Sequence, residues 1–198
     1  VLDGLRVAAG EAEQGCGPLE YLASLGVLAP DVVLAHLTFA TDADLDAVAA
    51  ADAPYAHCAT IYPRRGRYPR LEDIFARGIR TGLATDWMQN DPFEAMRNAL
   101  NAMRLRLGRP DALSSAQALW LATMGAARVM GLDAEIGSLE PGKKADLILV
   151  DLDRPHLQPF YGGYSALVYY ARADDVRVSV IDGEVVLEDG APTRLDES

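Results

Sequence analysis

The chain has 198 residues, half of them hydrophobic and 24% charged, and a net charge of −11 at neutral pH. That is the balance of an ordinary globular protein, one domain or a domain with a small appendage. The acidic excess argues against nucleic acid and against an anionic membrane surface, since both require a basic footprint. No run of about 18 apolar residues is present, so nothing reads as a membrane span. Cys16 and Cys58 are too few for a disulfide scaffold, and no Cys-x-x-Cys pair marks a zinc knuckle. Reduced thiols in a cytoplasmic protein are the expectation. Position 1 is Val, with no basic-then-apolar leader after it, so the chain is expected to begin mid-protein.

Residues 18–26 read as a short helix with Pro18 in the first turn and Gly26 at its end. Pro30-Asp31 turns into a strand over residues 32–36. Thr41 or Asp42 caps a helix that places Leu45, Val48 and Ala49 on one face. The run Asp42-Ala43-Asp44-Leu45-Asp46 reads as a solvated helix start, where carboxylates favour the first turn. A strand over 54–58 is followed by Tyr62-Pro63-Arg64-Arg65-Gly66-Arg67-Tyr68-Pro69, an irregular rim loop. A short helix over 71–77 leads to a strand ending at Asp86. Phe93, Met96, Leu100, Met103 and Leu107 recur at helical spacing over 92–107, and a further long helix spans 114–130. Beyond Gly131 the chain reads as mostly β, with strands at 145–150, 176–181 and 184–187 and a hairpin turn at Asp182-Gly183.

Three of these strands share a pattern. Val32-Val33-Leu34-Ala35-His36, Ala53-Pro54-Tyr55-Ala56-His57 and Gly82-Leu83-Ala84-Thr85-Asp86 are each small and apolar up to one residue that can bind a metal or move a proton. Helix-like sequence fills both gaps, which is the rhythm of β-α-β-α-β with parallel strands. Their C-terminal ends point one way, so two imidazoles and a carboxylate are expected at one rim of the sheet, where α/β enzymes place their chemistry. A carboxylate held there can give one oxygen to a divalent metal and take a proton from water with the other. A neighbouring histidine can orient that water or polarise the substrate. Catalytic zinc or iron usually takes three or more protein ligands, and neither His-x-His nor His-x-x-x-His occurs here. His156, within Arg154-Pro155-His156-Leu157, reads as a surface loop residue.

At these residues the chain resembles the amidohydrolase superfamily, in its branch of chlorohydrolases and cytosine-, guanine- and adenosine-type deaminases. Val33-Leu34-Ala35-His36 is similar to the sixth barrel strand, Ala56-His57-Cys58-Ala59-Thr60 to the His-Asn/Cys-Pro-x-Ser-Asn run after the seventh, and Gly82-Leu83-Ala84-Thr85-Asp86 to Gly-x-Gly-Thr-Asp at the eighth. Ala122-Thr123-x-x-Ala126-Ala127 followed by Gly137-Ser138-Leu139-Glu140-Pro141-Gly142-Lys143-Lys144-Ala145-Asp146-Leu147 resembles the stretch that leaves the barrel for a flanking β-sandwich.

The resemblance implies about the last three βα units of a (β/α)8 TIM barrel over residues 1–131 and part of a β-sandwich over 132–198. Asp86 would be the metal ligand and general base, and His36 would contact the hydroxide or the leaving side of the substrate. His57 would lie in the substrate pocket, with Trp87 a further substrate-binding candidate. One divalent metal, zinc or iron, is implied, with its strand-one and strand-five histidines outside this chain. The implied activity is metal-dependent hydrolysis of a carbon–nitrogen or carbon–chlorine bond in a small heterocycle. A cyclic-amide hydrolase of the imidazolone type and a truncated, non-catalytic assembly module are the alternatives. Three parallel strands cannot close a barrel and leave bare edges, so a homo-oligomer or a missing N-terminal half is expected to cover them.

Overall fold

The computed structural model describes residues 14–61, 63–86 and 90–194. Its first layer alternates helix and strand: α1 (Pro18–Ser24), β1 (Leu34–Ala35), α2 (Asp42–Ala50), β2 (Tyr55–Cys58), α3 (Leu71–Ala76), β3 (Thr81–Ala84) and α4 (Pro92–Leu107). The strands form a parallel sheet in the order β1-β2-β3, with Ala35 opposite Ala56, Ala56 opposite Gly82, and Cys58 opposite Ala84. The expected β-α-β-α-β unit is present. β1 and β3 end before the apolar runs that announce them, because the backbone leaves the extended region early. His36 (φ +72°), Leu37 (φ +44°) and Asp86 (φ +61°) are all left-handed. A polypeptide in that conformation cannot continue a ladder.

The helices form for reasons visible residue by residue. Asp91 caps α4 by accepting from the Phe93 and Glu94 amides, Pro92 opens the first turn, and Gly108 ends the helix at φ +62°. Phe93, Met96, Leu100 and Met103 are its buried face. In α2 the N-cap is Thr41, and the third helical residue, Asp44, is fully buried, which corrects the reading of 42–46 as a solvated start. One Asp44 oxygen accepts from the Thr41 amide and hydroxyl (3.1 and 3.0 Å), and the other accepts from the Leu19 and Glu20 amides (2.8 and 3.2 Å). One carboxylate thus serves the N-termini of α1 and α2 together, where orphan amides and helix dipoles favour negative charge.

The long helix expected over 114–130 is interrupted. It runs as α5 (Ser115–Trp120), a π turn (Leu121–Gly125) and α6 (Ala126–Val129). Thr123 Oγ1 donates to the Leu119 carbonyl at 2.8 Å, a back-bond that bends helices. Gly125 sits so close to β3 that a Cβ there would lie 2.7 Å from the Thr81 carbonyl oxygen, and a Cβ on Gly82 would lie 2.5 Å from Ala126 Cα. The two glycines let the helix touch the strand, and the widened turn accommodates that approach.

The remaining strands, β4 (Leu147–Val150), β5 (Val176–Ile181), β6 (Glu184–Glu188) and β7 (Ala191–Pro192), form an antiparallel sheet in chain order. Asp182 and Gly183, both at positive φ, make the expected hairpin turn. Helix α7 (Gly163–Tyr170) and the short strand β7 in this stretch have no counterpart in the sequence reading. Arg97 on α4 donates to the carbonyls of Val168 and Ala171 at 3.3 and 2.6 Å, and both those residues are buried in the core that holds Leu100 and Leu113. A division at residue 131 therefore does not separate two cores. Among the described residues no helix is long and apolar enough to cross a membrane.

Candidate functional site

The three strands deliver their ends to one place. His36 follows β1 by one residue, Cys58 ends β2, and Asp86 follows β3 by two. A nitrogen, a sulfur and a carboxylate oxygen from these residues lie within 4.8 Å of one another. His36 Nε2 stands 3.8 Å from Asp86 Oδ2, and both side chains are partly exposed. The left-handed backbone at His36 and Asp86 turns their side chains into this cluster instead of along the strand. Asp and His tolerate that conformation better than most residues, and such strain concentrates at functional sites.

The neighbouring residues brace the cluster. Thr60, buried in the loop after β2, donates its hydroxyl to the Thr85 carbonyl at 2.9 Å, fixing the backbone that carries Asp86. Tyr55 donates to the His36 carbonyl at 2.9 Å. Burial, with a smaller push from the Asp86 carboxylate, raises the Cys58 thiol to about 11. An uncoordinated Cys58 is a protonated thiol at neutral pH, not a nucleophile.

The structure corrects the substrate-pocket expectation for His57. Along β2, Ala56 and Cys58 face one way while Tyr55 and His57 face the other. His57 is only 1% exposed, and both its ring nitrogens are occupied: Nδ1 lies 2.8 Å from the Tyr55 hydroxyl and Nε2 2.8 Å from the Tyr68 hydroxyl. Each tyrosine hydroxyl also reaches a backbone carbonyl, Tyr55 that of His36 at 2.9 Å and Tyr68 that of Ala99 at 3.1 Å. His57 joins α4 to the backbone of His36 through two tyrosines. Tyr55 shares its face at the i−2 position and could have been read from the strand period; Tyr68 lies in the irregular loop, where no sequence period points to it.

Burial, and to a lesser degree His36, holds His57 down to about 3. An unfolded histidine titrates near 6.5. Below that pH the unfolded chain binds a proton that the folded chain refuses, so His57 contributes stability above pH 6.5 that is lost as pH falls toward 3. The expected slope is up to about 1.4 kcal/mol per pH unit. Urea midpoints between pH 7 and pH 4 measure it. His57→Gln is expected to be less stable at pH 7 and to show a shallower slope, and an unchanged slope would contradict the assignment.

The remaining candidates are placed as follows. Trp87 lies outside the described residues. His156, expected on a surface loop, lies 2.9 Å from the buried Asp175 carboxylate, which also accepts from the Arg172 amide. It ties the 155–157 turn to the 173–175 turn, far along the chain from the cluster. Arg64, in the rim loop, pairs with Glu94 at 3.4 Å. Cys58 was not singled out by sequence as a site residue, although it sits beside His57 in the motif that carried the resemblance.

A nitrogen, sulfur and oxygen donor set suits a borderline-soft dication such as zinc; magnesium and calcium take oxygen alone. The C-terminal ends of parallel strands, where these side chains gather, are where α/β enzymes place their sites. The chain belongs to the amidohydrolase family, which it matches over residues 5–186. It is 35% identical over 192 residues to the 5-methylthioadenosine/S-adenosylhomocysteine deaminase of Halobacterium salinarum, an alignment that takes in 94% of this chain and 44% of the relative. A crystal structure of a zinc-bound adenosine deaminase from Xanthomonas campestris superposes with a TM-score of 0.87 at 28% identity, over 96% of this chain and 44% of that one. Zinc-bound atrazine chlorohydrolase from Arthrobacter aurescens shares the fold, with a TM-score of 0.85 at 24% identity over 96% of this chain and 43% of that one. The chain spans less than half the length of the relatives it matches.

Proposed function

We propose that the protein carrying this chain is a metal-dependent aminohydrolase that removes the exocyclic amino group of an adenine-type nucleoside. The observation that carries the reading is the convergence of His36 and Asp86, from strands that β2 separates, on one mouth 3.8 Å apart. The named activities of the relatives supply the substrate class, and the N/S/O character of the cluster supplies the metal class. In this reading the parallel sheet is the last three units of a barrel closed by sequence outside this chain, and the antiparallel sheet is part of its flanking sandwich.

Asp86 would be a ligand of a zinc-type dication, and such a metal would supply Lewis-acid chemistry that brings the pKa of water toward 7. With its other oxygen Asp86 takes a proton from the attacking water and passes it to the departing amine. His36 Nε2 hydrogen-bonds the attacking oxygen and aims it at the ring carbon. One water enters, a carbon–oxygen bond forms, the carbon–nitrogen bond breaks, and ammonia leaves. His57 takes no part in proton transfer: it is buried, neutral and engaged on both nitrogens. Its role is to hold Tyr55 against the His36 backbone.

The test is ammonia release by the full-length, zinc-loaded protein from adenosine and 5′-methylthioadenosine, with atraton-type triazines as the comparison. Stoichiometric ammonia from the nucleosides is the expected result. Zinc-loaded, folded protein that releases none would overturn the reading.

A further inference from the structure

Both residues that converge on the mouth hold backbone angles that their strands do not supply. β1 ends at Ala35 and β3 at Ala84, and beyond those ends His36 (φ +72°), Leu37 (φ +44°) and Asp86 (φ +61°) are left-handed. In residues other than glycine such angles persist only where the surroundings over-determine them. Two hydroxyls meet the backbone there. Thr60 Oγ1 donates to the Thr85 carbonyl at 2.9 Å, and the Tyr55 hydroxyl lies 2.9 Å from the His36 carbonyl oxygen. Both side chains are buried, where a low local dielectric strengthens a hydrogen bond.

The carbonyls they meet are the ones that govern the turn at each site residue. The Thr85 carbonyl lies in the peptide plane from which φ of Asp86 is defined. The His36 carbonyl lies in the plane between His36 and Leu37, two consecutive left-handed residues. Because a peptide unit is planar, pinning its oxygen restrains the torsions on both sides. Tyr55 opens β2 and Thr60 lies two residues past its end, so both pins belong to the segment between the two site residues. Thr38 Oγ1 also approaches the His36 carbonyl, at a longer 3.4 Å.

We propose that Thr60 and Tyr55 are positioning residues for the reaction. Their hydroxyls hold the peptide planes that aim Asp86 and His36, and so set the 3.8 Å between carboxylate and imidazole. The proposal rests on the roles given above to those two groups and assigns neither hydroxyl a contact with substrate. When a hydroxyl is lost, the carboxylate and the imidazole keep their chemistry and lose their aim. A misplacement of about 1 Å can cost about 10²-fold in rate. Weakening the support of a metal ligand typically costs about 10–100-fold in metal affinity or activity.

Thr60→Val nearly keeps the shape of the side chain and deletes the hydroxyl, while Thr60→Ser keeps the hydroxyl. In the full-length, zinc-saturated protein, Thr60→Val is expected to lower kcat for ammonia release from adenosine by about 10–10²-fold. KM is expected to move by less than about threefold, since ground-state binding is untouched, and Thr60→Ser to return kcat to within about threefold of wild type. A second readout needs no turnover. Zinc affinity, measured by competition with a chromophoric chelator, is expected to fall about tenfold or more in Thr60→Val and to recover in Thr60→Ser. If Thr60→Val does not fold, Thr60→Ala against Thr60→Ser makes the same comparison, one hydroxyl apart. Tyr55→Phe is expected to lower kcat by a similar factor, with urea unfolding to show that it stays folded without the hydroxyl beside His57 Nδ1. Folded Thr60→Val with wild-type kcat and zinc affinity, or Thr60→Ser as impaired as Thr60→Val, would overturn the positioning role and leave the catalytic reading standing. Folded Tyr55→Phe with wild-type kcat would remove Tyr55 from the pair. Wild-type protein that holds zinc and releases no ammonia would end the catalytic reading, and the zinc affinities would still decide whether Thr60 positions Asp86.

Discussion

Asp86→Asn is expected to lower turnover of the full-length protein by about 10²–10⁴-fold, the range associated with losing a general base, and to reduce its zinc content. The substitution removes the charge and keeps the side-chain shape. Asn has the shape of Asp and shares its tolerance for left-handed backbone, so the φ of +61° at this position imposes no new strain. The brace from Thr60 to the Thr85 carbonyl is untouched, because it involves backbone. Unfolding stability is expected to change by less than about 1 kcal/mol, as for substitutions that break no buried network. Asp86→Ala would confuse the two effects, since its backbone must hold a conformation that Asn adopts more readily. Turnover, zinc by elemental analysis and a urea curve, measured on one preparation, separate catalysis from folding. Unchanged turnover with unchanged zinc would remove Asp86 from the mechanism.

The largest expected effect on stability lies away from the site, at Asp44. Asp44→Ala is expected to cost about 3–5 kcal/mol, because three amides and a hydroxyl lose their acceptor inside the protein. Each of those donors sits at a helix N-terminus: Leu19 and Glu20 open α1, and Thr41 caps α2. Losing the carboxylate therefore loosens the packing of α1 on α2 as well as the two caps. Asp44→Asn keeps one acceptor oxygen and is expected to fall between wild type and Ala. Gly17→Ala attacks the same junction from the other side, since a Cβ there would lie 2.4 Å from Asp44 Oδ1. Urea unfolding at pH 7 measures all three. A loss under about 1 kcal/mol for Asp44→Ala would show that water or a rearranged α1 replaces the carboxylate.

Both expectations turn on residues whose roles the sequence discloses unequally. Asp86 and His36 stand out because each is the lone polar group ending a run of small apolar residues, and parallel strands must bring such ends together. Helix α4 is equally legible, since its apolar spacing, Asp91 cap, Pro92 start and Gly108 stop agree. Asp44 is hidden by its neighbours: Asp42 and Asp46 are exposed, and nothing in a run of alternating aspartates marks the middle one as buried. His57 is misleading for a different reason. Its strand is small and apolar up to an imidazole, like the other two, yet the strand continues one residue further, so Cys58 takes the rim position and His57 faces the core. A one-residue shift in a period of two reverses every side chain. Helix α7 is invisible because its Tyr- and Val-rich sequence suits a strand and its partners, Arg97 and Arg104, lie on α4 far back in the chain. The π turn depends on contacts between Gly125, Gly82 and Thr81 that no local pattern encodes.

The central claim is that His36 and Asp86 face one metal-holding mouth at the ends of parallel strands that β2 separates. Diffraction from crystals of the full-length protein, recorded at the zinc absorption edge, tests it most directly. The account predicts an anomalous peak in contact with the Asp86 carboxylate and beside the His36 ring. A zinc-replete crystal whose peak lies elsewhere, with Asp86 touching only protein, would contradict it.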